Sequence, residues 1–77
     1  MMLINQLRTV DDLAEGEQAT PEPGIDYELR TMRNETIDAG LVEHVFRHGD
    51  QLLARTTSGE SYLVTGHGSP VLVPRRR

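Results

Sequence analysis

The 77-residue chain has no cysteine, no tryptophan and no lysine, and its only Tyr and Phe side chains are Tyr27, Phe46 and Tyr62. Without cysteine there is no disulfide framework, no thiolate zinc site and no thiol nucleophile. No apolar run approaches the ~20 residues of a membrane-spanning helix, and none forms a secretory h-region. These absences predict a cytoplasmic protein with no membrane partner. All eight basic residues are arginine. Arginine-favouring codons of a GC-rich genome explain this, as does selection for bidentate recognition of carboxylate or phosphate.

Apolar residues make up 36% of the chain, which suits one small domain over residues 1–77. A core of this size is marginal alone, so homo-oligomerisation is expected to add stability. The net charge of −4 is unevenly spread. Seven acids (Asp11, Asp12, Glu15, Glu17, Glu22, Asp26 and Glu28) precede Leu29 against Arg8 alone, whereas the remainder is weakly basic. An acidic chain is a poor non-specific nucleic-acid binder, because phosphate neutralisation needs clustered positive charge.

Leu3, Ile4, Leu7, Val10 and Ala14 recur at spacings of three and four, which predicts a helix over 2–15 ending at Gly16. In a rival reading, Thr9 and Asp12 form a capping pair that starts a short helix after a strand at 3–8. Residues 16–24 are acidic and rich in Pro and Gly, and read as a mobile linker. Ile25, Tyr27, Leu29 and Thr31 alternate with Asp26, Glu28 and Arg30, the period of a half-buried strand. Residues 41–47 fit a strand better than a helix, since Gly40 and the Val and Phe content disfavour the helix. Turns at His48-Gly49-Asp50 and Ser58-Gly59-Glu60 would join strands 51–57 and 61–65, and a last strand would cover Val71–Val73. Residues 25–74 then form a meander, and Arg75–Arg77 a basic tail. The expected fold is α+β but mainly β: an N-terminal helix, then about five short antiparallel strands curled into a small barrel or meander, a plan that resembles the Sm/SH3-like barrels.

Candidate sites are sparse. His44 and His48 would share a face on a helix, as metal ligands require, but on a strand they lie ~13 Å apart. Ser58, Ser61 and Ser69 could be grouped with His67 and Asp50, yet none sits in a nucleophile elbow. Gly66-His67-Gly68 lacks the lysine and following helix of a phosphate loop. The composition therefore implies neither catalysis, nor a cofactor, nor a metal.

Asp50-Gln51, His67 and Val73-Pro74 follow one another as in Hfq-type Sm-like proteins, and over residues 50–76 the chain resembles that family. The resemblance implies a small barrel that binds uridine-rich RNA through Gln51 and His67, with Arg75 and Arg76 adding charge. The family's lysine before the histidine is replaced by Gly66, and the aromatic after Asp-Gln by Leu52.

Together these features predict a non-enzymatic regulatory module of bacterial or phage type that binds another protein, one with a basic surface. Its contact residues would be the acids Asp11, Asp12, Glu15 and Glu17 and the strand Val71, Leu72 and Val73. Sm-like RNA binding is the alternative.

Overall fold

The computed structural model describes residues 2–76. Among the described residues seven strands form: β1 (Met2–Leu3), β2 (Gln18–Thr20), β3 (Ile25–Arg30), β4 (Val42–His48), β5 (Gln51–Thr56), β6 (Ser61–Leu63) and β7 (Val71–Arg76). One sheet has the order β1-β2-β4-β5-β6, and β3 and β7 make a second, two-stranded sheet. β1 and β2 are parallel, and every other strand pair is antiparallel.

The expected barrel does not close. The meander β4-β5-β6 ends at β6, and the chain then leaves the sheet through Gly66 and Gly68, both at positive φ. β7 pairs with β3 along six residues, from Ile25↔Arg76 to Arg30↔Val71, instead of with β6. The result is two open sheets.

The core lies between the sheets. Ala19, Val45, Ala54 and Tyr62 form one cross-strand row, and the first three are fully buried. The small alanines leave room above the row for Leu13, Tyr27 and Leu29, which belong to the same buried cluster. β4 keeps Val42 and Val45 both inside through a register shift between Val42 and His44. The bulge resets the alternation, so that His44 and Phe46 share the opposite face. This strand settles the ambiguity of residues 41–47.

The predicted helix over 2–15 is absent. In its place stand β1 and two single-turn 3-10 segments, Ile4–Gln6 and Val10–Asp12, with Leu7, Thr9 and Leu13 extended. Polar side chains hold this path by taking backbone donors, and those of Arg8 and Thr9 are ones a helix would use. Gln6 Oε1 accepts the Leu3 N–H at 3.1 Å, and Asp12 Oδ2 accepts the N–H groups of Arg8 and Thr9. Beyond Met2, the residues that face the core are Ile4, Leu7, Val10 and Leu13, a spacing of three, while Ala14 is exposed.

The predicted linker also contains a strand. β2 lies within residues 16–24 and buries Ala19 completely. The predicted tail is likewise part of a strand, since Arg75 and Arg76 close β7, while Arg77 lies outside the described residues. β7 tolerates Pro74 because Pro74 is paired with Tyr27. The Leu29 carbonyl turns away from β7 to accept the Ile37 N–H, so Tyr27, two residues earlier, also points its backbone groups away. Pro74 therefore occupies a non-hydrogen-bonded position, where no N–H is needed.

Gly40 carries the connection from β3 into β4 at φ +82°, and an added Cβ would meet Thr57 Oγ1 at 2.5 Å. The crossing is fixed by the Thr57 N–H to Leu41 carbonyl bond at 2.9 Å and by Ser58 Oγ donating to the Ala39 carbonyl at 2.8 Å. Gly40→Ala is expected to destabilise the fold by about 1–3 kcal/mol in urea unfolding. Gly16→Ala, also at positive φ but in open space, should cost less.

Candidate interaction surface

The acidic N-terminal segment lies against the β4-β5 hairpin. Asp12 closes its own 3-10 turn, and the Thr9 and Arg8 backbone donors hold its carboxyl below the usual carboxylate range. Glu17 Oε1 accepts the Ala14 N–H at 3.0 Å. Glu15 Oε2 accepts the Gly49 N–H at 2.7 Å, at the tip of the hairpin, and its other oxygen lies 3.9 Å from His48. Asp11 pairs with Arg47 at 3.7 Å. Arg47 is the centre of this contact. It donates to the Leu13 carbonyl at 2.8 Å and to the Gly49 carbonyl at 2.7 Å, while its backbone exchanges hydrogen bonds with Gly16 and Glu17.

A second charge cluster joins β3 to β7. Glu28 is buried, and its Oε1 accepts from Arg30 Nε at 2.8 Å and Nη2 at 2.7 Å. Its Oε2 accepts from Arg75 Nη1 at 3.3 Å. The hydrogen bond from Arg30 is the main reason its carboxyl is held below the ordinary glutamate range. Burial opposes the shift, and the nearby charges of Arg30 and Arg75 add to it. Arg30 also donates to Asn34 Oδ1 at 3.1 Å, at the one non-glycine residue with positive φ among those described.

Of the residues named for RNA binding, Gln51 and His67 belong to neighbouring segments, since the Leu52 N–H donates to Thr65 Oγ1 at 3.1 Å. Gln51 is exposed at the start of β5, and His67 is exposed in the loop before β7. Arg75 lies four residues beyond Val71, ~13 Å further along the strand. His44 and His48, both on β4, are separated by a similar distance. Among the described residues no group of three His, Asp or Glu side chains converges as metal ligands. The Ser58 and Ser69 hydroxyls donate to the backbone carbonyls of Ala39 and Thr65. Among the described residues no helix is long and apolar enough to cross a membrane.

Val71, Leu72 and Val73 lie on β7, paired with Arg30, Leu29 and Glu28. Leu72 packs on the core, and Val71 remains 52% exposed. Met32, in the turn after β3, is 73% exposed and borders a hollow of about 370 Å³ with Ile37 and Pro70.

The surface that sequence reasoning missed is the outer face of the five-stranded sheet. Gln18, Phe46, Leu53 and Leu63 stand in register across β2, β4, β5 and β6. The three apolar members of this row lie outside the core cluster, and Leu63 is 37% exposed. His44 lies beside Phe46, with ring centroids 5.7 Å apart and the planes tilted by 52°, and is paired with Arg55. The rim is polar: Gln18, Gln51, His48, Arg55 and Ser61, with the exposed carboxylates of Glu15 and Glu43 next to the two histidines. No family model, curated protein or solved structure matches the chain. An apolar centre inside a polar rim is the anatomy of a protein-binding patch. The bulge at β4 hides it from a strict alternation count, which puts Val42 with His44 and Phe46.

Two measurements test the charge clusters. Arg47→Ala should destabilise the fold by about 2 kcal/mol, with faster hydrogen exchange at the Gly16 and Glu17 amides. Glu28 binds its proton less tightly in the folded state, so its contribution is complete above the unfolded value near pH 4.3. That contribution is lost as pH falls through the lower folded value. Thermal melts of Glu28→Gln should show a lower Tm at pH 7 and a shallower loss of Tm between about pH 5 and pH 3. Asp12→Asn should remove a second part of the same acid sensitivity.

Proposed function

We propose that the chain is a small non-enzymatic regulatory module that binds another protein through the outer face of its five-stranded sheet. The row Phe46–Leu53–Leu63 carries this reading. It is apolar, partly exposed and outside the core, so the core's packing does not account for three large apolar side chains there. The partner presents apolar side chains edged by basic groups, which meet Glu15 and Glu43 on the rim. The acids Asp12 and Glu17 act within the chain by closing local turns, and Glu15 and Asp11 dock the N-terminal segment while leaving their carboxylates exposed. The location that suits this role is the cytoplasm.

The test places a photo-crosslinking residue at Leu53, and in a control chain at Met32, in extract of the source cells. A discrete protein adduct at position 53 is expected, distinct in mass from a self-adduct of two 8.6 kDa chains. Phe46→Ala should weaken binding of the identified partner at least ~10-fold while leaving the circular dichroism spectrum unchanged. Adducts only at Met32, or tight salt-sensitive binding to single-stranded RNA in place of a protein, would overturn the reading.

A further inference from the structure

Among the described residues, β1, β3, β6 and β7 each have one side without a neighbouring strand. Three of these edges are guarded. On β3 the outward Ile25 N–H and Leu29 carbonyl are taken by Glu22 and Ile37. The Leu3 N–H of β1 is taken by Gln6 Oε1. β7 carries Pro74, which offers no N–H, and Arg75 and Arg76, which would repel their own copies. β6 has none of these protections: its sequence is Ser61-Tyr62-Leu63, without charge or proline.

The direction of its backbone groups follows from the bonds on its inner side. The Thr56 N–H donates to the Glu60 carbonyl, and the Val64 N–H to the Leu52 carbonyl, both at 2.9 Å. Positions 60, 62 and 64 therefore face β5. Ser61 and Leu63, paired with Arg55 and Leu53, are the non-hydrogen-bonded positions. Their two N–H groups and two carbonyls point outward from the sheet.

We propose that β6 is a homodimerisation edge, on which two copies of the chain pair antiparallel about a twofold axis through Tyr62. In this register Ser61 of each copy lies opposite Leu63 of the other, and all four outward groups of each strand find partners. Because β6 carries no charge, its own inverted copy meets none of the like-charge repulsion that self-pairing of a charged strand would bring. Tyr62 meets its own copy directly, an aromatic cross-strand pair, and the two Leu63 side chains become diagonal neighbours on the outer face. The apolar row of one copy then continues toward that of the second across a ten-stranded sheet. Pairing at β6 is independent of what binds the outer face.

Sedimentation velocity of the full chain tests this. A dimer at about 100 μM is expected, and Leu63→Lys should shift it to monomer, with a thermal melt that matches the wild-type chain's at dilutions where that chain is monomeric. The lysine replaces an exposed side chain and places two positive charges diagonally across the axis. A wild-type chain that stays monomeric to millimolar concentration, or a Leu63→Lys chain that remains dimeric, would overturn the proposal. Cysteine pairing gives a second reading, since the native chain has none. Opposed residues of a hydrogen-bonded pair have Cα atoms about 5.5 Å apart, within disulfide reach. An oxidised equimolar mixture of Ser61→Cys and Leu63→Cys should give the mixed disulfide well above the statistical half. A statistical mixture, or an excess of either homodisulfide, would contradict the proposed pairing.

Discussion

The register of β4 governs the rest of the molecule. This strand pairs with β2 on one side and β5 on the other, so its phase decides which side chains face inward on three strands at once. With Val45 inside, Ala19 and Ala54 are inside as well, and a one-residue slip would bring Phe46, Leu53 and Gln18 into the core instead. The bulge near Glu43 then makes Val42 and Val45 both buried without forcing His44 inward. One irregular position thus completes the core and gathers His44 and Phe46 on the open face.

The N-terminal segment depends on the same strand in a different way. It supplies Ile4 and Leu13 to the core but has little regular structure of its own. Its path is set by side chains that replace the hydrogen bonds of a helix, and by Arg47, which reaches from β4 to the Leu13 carbonyl. A single guanidinium thus ties the segment to the hairpin while Glu15 ties the hairpin tip back to the segment. The acidic character of the first third is in part a consequence of this arrangement, since Asp12, Glu15 and Glu17 each accept backbone N–H groups.

Much of the β architecture was legible in the residues. The alternation of Ile25–Arg30 and the glycine turns at Gly49 and Gly59 mark β3 and the β4-β5-β6 meander, because these are local signals with local causes. The N-terminal helix was misread because a spacing of three and four suits both a helix and a chain of 3-10 turns. The residue that separates the two is Leu13, buried where a helix would have placed Ala14 inward. β2 left almost no mark, since three residues with one alanine carry no period, and only pairing with β4 makes them a strand. β7 was cut short at Pro74 because the direction of a missing N–H depends on a partner 47 residues away. For the surface, the acids and Val71–Val73 could be named from composition, but the outer row could not. It draws one residue from each of three strands, and its phase depends on a bulge.

The pairing of β3 with β7 has a consequence for how the chain reaches its fold. Residues 25–30 find their partner at 71–76, the last described part of the sequence, and each contact closes a loop of some forty to fifty residues. The meander between them closes only short turns and can form first. During synthesis the β3 backbone therefore lacks its strand partner until β7 has emerged, and the two-stranded sheet is completed last on a platform already assembled.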